Sequence, residues 1–119
     1  MNYNLSEKET ELAEIIWDNE PIKSSNIVKI CFDRFNWKKS TTYTMIKRVE
    51  NKGVIINDNG IVRSVISKKD YYATLSKQYL EENFEGSLPK FIAAFTSKER
   101  LSKKEIEEIE KMIQSYKEL

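Results

Sequence analysis

The sequence contains no histidine, one cysteine, two prolines and three glycines in 119 residues. Without histidine, the commonest zinc ligand and the side chain best suited to act as a general base near neutral pH are both missing. A single thiol, Cys31, excludes an internal disulfide. There is no glycine-rich phosphate loop, and the glutamates at 105, 107, 108 and 110 fall where the solvated side of a helix would be. Enzyme activity, a metal and a cofactor are therefore not expected. Few helix breakers together with 33% charged residues favour a helix-rich chain over a strand-rich or disordered one. No apolar run approaches the roughly 18 residues of a membrane span, and the first residues are acidic where a leader is basic and then apolar. The expectation is a cytoplasmic protein without membrane insertion.

Net charge is only +1, but it is unevenly spread. Residues 1–20 carry Lys8 against six carboxylates, whereas residues 21–69 carry eleven Lys and Arg against Asp33, Glu50 and Asp58, a local balance of +8. The remainder is mildly acidic. A basic centre between acidic ends is the pattern of a localised polyanion site.

The periodicity predicts how that centre is built. Ser6-x-x-Glu9 is a capping box, and Leu12, Ile15, Ile16 and Trp17 behind it predict a helix from Glu7 to Asn19, stopped by Pro21. A second helix is expected from Ser24 or Ser25 to Asp33, with Ile27, Val28, Ile30 and Cys31 inward, so Cys31 reads as a small core residue. After a connector over residues 34–39, a third helix is expected with Ser40 or Thr41 as its cap, ending at Gly53. Met45, Ile46 and Val49 form its inner stripe. Val54 to Ile56, the Asp58-Asn59-Gly60 turn and Ile61 to Ile66 then predict a hairpin. Two helices, a third with a polar front and a hairpin make a winged helix-turn-helix over residues 1–68.

Residues 69–119 read as a separate helical arm. Ser67-x-x-Asp70 opens a fourth helix running to Gly86, Leu88 to Phe95 is a short apolar segment begun by Pro89, and Ser102-x-x-Glu105 opens a last helix. Tyr72, Leu75, Tyr79, Leu80, Phe84, Phe91, Phe95, Ile106, Ile109, Met112, Ile113 and Tyr116 are large apolar residues with little core left to cover them. A second copy of the chain is the expected partner, making this a dimerisation domain. A C-terminal layer folded back on its own protomer is the alternative.

Recognition of DNA needs cations on phosphates and a few side chains at base edges. On the third helix Ser40, Thr41, Tyr43, Thr44, Lys47 and Arg48 share one outward face by their helical spacing. Arg48 can bond a guanine in bidentate fashion, Thr41 and Thr44 can meet thymine methyls or phosphates, and Tyr43 can do either. Lys38, Lys39, Lys47 and Lys52 are expected on phosphates, with Arg63 on the wing. A competing reading makes the winged helix a scaffold for protein contacts, with the apolar arm as the docking surface.

Leu5-Ser6-Glu7-Lys8-Glu9, Ile15-Ile16-Trp17, Pro21-Ile22 and the run from Trp37 to Val49, with Phe84 to Leu88, Phe91 to Phe95 and Leu101 to Ile109, together resemble the penicillinase-repressor family of bacterial winged-helix transcriptional repressors. The resemblance implies a homodimer on a palindromic operator, repressing resistance or homeostasis genes. In the family's β-lactam-responsive branch it further implies a sensor protease that relieves repression by cutting the C-terminal domain, here at Ala94-Phe95, where the family typically has Asn-Phe. Ser40 stands where the family usually has lysine, and the wing is shorter than the family's aromatic-rich one. The Cys-x-Cys motifs of the copper-responsive branch are absent.

Overall fold

The computed structural model describes residues 3–119. Among them are six helices and three strands in the order α1 (Glu7–Asn19), β1 (Ile22–Lys23), α2 (Ser24–Phe35), α3 (Lys39–Asn51), β2 (Ile55–Asp58), β3 (Ile61–Ser64), α4 (Lys68–Phe84), α5 (Leu88–Thr96) and α6 (Lys103–Lys117). Helices joined to a small antiparallel sheet in this order form a winged helix-turn-helix followed by a helical arm.

α1 has the bounds its capping box predicts: the Glu9 amide donates to Ser6 Oγ at 3.2 Å and the Ser6 amide to Glu9 Oε1 at 2.8 Å. α2 runs past the expected Asp33 to Phe35, because Asn36 takes the left-handed conformation (φ 56°) and its amide closes the helix on carbonyls of the last turn. Asparagine tolerates that region better than other side chains, and the break it makes is the turn of the helix-turn-helix. α3 starts at Lys39 from an extended Lys38 that makes no side-chain cap. The cap expected from Ser40 or Thr41 is thus corrected: both lie within the first helical turn. Its other end follows expectation, with Gly53 at φ 85° just beyond the last turn.

The wing is tighter than the apolar runs suggest. β2 and β3 pair in register from Ile55 with Ser64 to Asp58 with Ile61, around an Asn59-Gly60 turn in which both residues have positive φ. The Gly60 amide donates to Asn57 Oδ1 at 2.9 Å, closing the turn from within. β1 adds a third strand, Ile22 opposite Val62 and Lys23 opposite Ile61, giving the order β1-β3-β2. Two residues leave no periodicity to read, so this strand was not legible in the sequence. Along the outer side of β2, the Asn57 amide donates to Glu50 Oε2 on α3 at 2.9 Å.

Leu12, Ile15, Ile16, Ile27, Cys31, Ile46, Val49, Val54, Ile55, Val62 and Tyr71 are buried together where α1, α2, α3 and the sheet meet. By contacts the chain divides into two units, residues 1–78 and 79–119. The division falls inside α4 rather than at the expected boundary after residue 68. Its cause is the first turn of α4: Tyr71 is buried in unit 1 against Tyr3 and Trp17, with ring centroids 5.7 and 5.3 Å away.

Unit 2 comprises the end of α4 with α5 and α6. Ser87 caps α5 through the Lys90 amide (3.2 Å), and Ser102 and Glu105 form a full capping box on α6. Tyr79, Phe84, Phe91 and Phe95 make a chain of aromatic contacts with centroids 5.4 to 6.4 Å apart. Neither α5 nor α6 has a buried residue.

Candidate nucleic-acid interface

The front of α3 is presented by what lies behind it. Thr42, Met45, Ile46 and Val49 are buried against α1 and α2, and a helix with one stripe so fixed turns the opposite residues to solvent. Lys38, Lys39, Ser40, Thr41, Thr44, Lys47 and Arg48 are all exposed. The Thr44 hydroxyl donates to the Ser40 carbonyl at 2.9 Å, along its own helix. Lys47 Nζ lies 3.5 Å from Glu50 Oε1, a solvent-facing pair of small energy that yields easily to a phosphate. Among the described residues the Arg48 guanidinium is held by a long contact, Nη1 to Met45 Sδ at 3.9 Å.

Tyr43 and Lys52 occupy other places than the sequence suggests. Tyr43 is half-buried, its hydroxyl 3.1 Å from Ser24 Oγ, so it pins the first turn of α2 to α3. Lys52 Nζ bonds Glu9 Oε1 at 2.6 Å and the Asn4 carbonyl at 2.9 Å. Its ammonium holds the end of α3 on the capping box of α1, a partner that the phosphate role expected for Lys52 does not include. Burial would raise the Glu9 carboxyl, but the bonds from Lys52 and Ser6 outweigh it and leave the group below its ordinary value.

Arg63 is exposed on β3, and Ile61, two residues before it, shares its face. Because Lys23 pairs with Ile61, Lys23 and Arg63 lie on one face of the wing sheet, which adds a cation that the helix-face reading missed. Lys23 is also the N-cap residue of α2 and, like Lys38 on α3, supplies no side-chain cap. Serine side chains occupy the first amides of α1, α4, α5 and α6. The two helices of the helix-turn-helix thus differ from the others in the way that suits an incoming phosphate. The signal was present in the sequence as Lys, rather than Ser, before each helix.

The arm residues fall into three groups. Tyr72, expected at a dimer surface, is instead engaged within unit 1: its hydroxyl donates to Glu14 Oε1 at 2.7 Å and its ring packs on Tyr71 and Trp17. That bond, with burial, pushes the Tyr72 phenol up to about 12. Leu80, Phe84 and Phe91 are half-buried within their own protomer. Leu75, Tyr79, Phe95, Ile106, Ile109, Met112, Ile113 and Tyr116 are exposed, Met112 by 62% and Tyr116 by 75%. Ala94 and Phe95 sit near the end of α5, where Ser97 Oγ donates to the Ala94 carbonyl at 2.7 Å. Cys31 is fully buried, and burial pushes its thiol up against the lesser opposing effects of the Thr42 hydroxyl and Arg34. No cluster of metal-ligating side chains and no helix long and apolar enough to cross a membrane occur among the described residues.

Known proteins resemble this chain in sequence along almost its entire length. The penicillinase repressor family matches residues 5–115. The chain is 30% identical over 115 residues to the methicillin resistance regulatory protein MecI of Staphylococcus aureus and of Mammaliicoccus sciuri, covering 93% of this chain and 94% of theirs. It is 24% identical over 117 residues to the penicillinase repressor of Bacillus licheniformis, covering 95% of this chain and 91% of that one. With its winged helix and helical arm, this chain belongs to the penicillinase repressor family.

Proposed function

We propose that this protein is a dimeric, sequence-specific DNA-binding repressor of transcription acting in the cytoplasm on resistance genes of the kind its relatives are named for, with repression relieved by proteolysis in the arm. The observation that carries the reading is the front of α3. Ser40, Thr41, Thr44, Lys47 and Arg48 form an exposed strip of small donors and cations on a helix whose buried stripe fixes its orientation. Lys38, Lys39, Lys23 and Arg63 flank it as phosphate partners. Arg48 and the methyls of Thr41 and Thr44 carry base preference.

Dimerisation is supported by the apolar surface of unit 2, where α6 exposes Ile106, Ile109, Met112, Ile113 and Tyr116. A stripe of that size suits a copy of itself, and pairing two winged helices matches a palindromic operator. Proteolytic relief is supported by α5: nine residues long and without a buried side chain, it opens locally at low cost and can offer Ala94-Phe95 to a sensor protease.

The test is affinity for the DNA upstream of the protein's own gene, measured as salt is raised. Several phosphate contacts require log affinity to fall steeply and linearly with log salt. A flat response overturns the reading in favour of a protein-interaction module.

A further inference from the structure

Phe32 is 58% exposed on α2, a large ring outside the core of unit 1. It stands at an open groove of about 500 Å³ between α2 and the start of α3, lined by Val28, Lys29, Phe32, Asp33, Trp37 and Lys39. That volume lies within the range of small-molecule sites. The first four residues share one side of α2 by their spacing, Trp37 belongs to the connector, and Lys39 is the first residue of α3. Trp37 is held in place by its own neighbours. Its amide donates to the Cys31 carbonyl at 3.4 Å, and its ring packs at 4.9 Å on Phe35, over which Lys8 Nζ stands at 4.7 Å. The groove thus has an aromatic wall that costs little to order when something settles against it. Lys29 and Lys39 bring two ammonium groups to the lining and Asp33 one carboxylate, which leaves a surplus of positive charge. Among the described residues none of the three is in an ion pair, although Lys29 and Asp33 stand one turn apart.

Aromatic faces beside surplus positive charge select a planar organic anion. We propose that this groove binds a small aromatic carboxylate, its ring against Phe32 and Trp37 and its acid group on Lys29 and Lys39. Duplex DNA does not meet that description, because it offers phosphates while its ring faces stay stacked. The effect on DNA rests on the reading of α3 as the recognition helix. Lys39 is one of the phosphate partners proposed above. A carboxylate that engages its ammonium removes one cation from the DNA surface and sets a negative charge beside it. Ligand and operator then weaken each other by the same factor. The groove is on this account an effector site that loosens the protein from DNA without a cut in the chain.

The probe is naphthoate, and the readout is the pair of indole N–H resonances of the full-length protein. Trp37 lines the groove, whereas the Trp17 indole donates to the Ile66 carbonyl at 3.0 Å, so one signal reports and the other is an internal control. Naphthoate is expected to move the Trp37 signal saturably and to leave the Trp17 signal in place. Naphthamide, which lacks the charge, and cyclohexanecarboxylate, which lacks the aromatic face, should each bind about tenfold or more weakly. Phe32→Ala and Lys29→Ala are expected to weaken naphthoate by about three- to tenfold, and Asp33→Asn to strengthen it a few-fold. Operator affinity without naphthoate should be unchanged in Phe32→Ala. At constant ionic strength, saturating naphthoate should lower operator affinity several-fold in wild type. No saturable shift at Trp37, an equal affinity for the amide, or an unchanged affinity in both Phe32→Ala and Lys29→Ala overturns the site. Binding at Trp37 that leaves operator affinity untouched overturns its effect on DNA. A protein that shifts as expected but binds no operator overturns the DNA-binding reading and leaves the anion site standing.

Discussion

At the residue scale, Arg48 and Lys47 are neighbours on α3 to which the proposed function gives different duties. The Arg48 guanidinium is exposed and only loosely held by Met45, leaving its planar fork free to meet a guanine edge. Lys47 is a point charge resting near Glu50. Arg48→Ala is expected to narrow the gap between operator and random DNA by about 1–3 kcal/mol, whereas Lys47→Ala should weaken both alike and lower the salt slope. Competition binding against both duplexes measures the difference, and an unchanged preference in Arg48→Ala removes it from base recognition. The Thr44 hydroxyl donates to Ser40 along the helix, so on the proposed reading its methyl is the group offered to a base edge. Periodicity reports which side of a helix a residue occupies and is silent about partners far away in sequence. For that reason the front of α3 was legible, while the attachments of Lys52 to Glu9, Tyr43 to Ser24 and Tyr72 to Glu14, between 19 and 58 positions apart, were not.

At the element scale, α3 is held to α1 at its C-terminal end by Glu9 and Lys52, and this junction should report on acid stability. The Glu9 carboxyl stands below its ordinary value of 4.5 in the folded protein. A depressed carboxylate contributes stability that is complete above the unfolded value and is lost as pH falls through the folded one. Stability should therefore hold down to about pH 4.5 and decline below it. Glu9→Gln is expected to cost about 1–3 kcal/mol near neutral pH, through the poorer bonds left to Lys52 and Ser6, and to flatten the acid limb. Denaturant unfolding at neutral pH and at successively lower values tests this, and an acid limb as steep as wild type assigns the loss to other carboxylates. Glu14 is shifted the same way by Lys68 and Tyr72 against the effect of burial, so part of the limb persists in the variant. The elements themselves were legible where local chemistry sets them: serine caps placed α1 and α6, and Asn59-Gly60 placed the hairpin. β1 exists only because β3 is there to receive it, and no stretch of two residues announces that.

At the scale of the whole molecule, a charge total near zero conceals a basic segment within unit 1, and unit 2 keeps an apolar surface that its own helices leave open. Ile113, 52% exposed on α6, belongs to that surface. Ile113→Glu is expected to leave the helical content intact, shift sedimentation towards monomer and reduce operator affinity by one or more orders of magnitude, since the second half-site is no longer engaged at high effective concentration. A variant that still sediments as wild type places the contact elsewhere on the arm. On the proposed dimer reading, a protein that finds its own copy through one exposed surface is also at risk of finding it through others. The bond from Asn57 to Glu50 bears on that risk, because it occupies an outward-pointing amide within β2, one of the two edge strands of the sheet. An open edge is a template on which strands of other copies add without limit. With that donor already satisfied from α3, a strand from another copy has one amide fewer to pair with along β2.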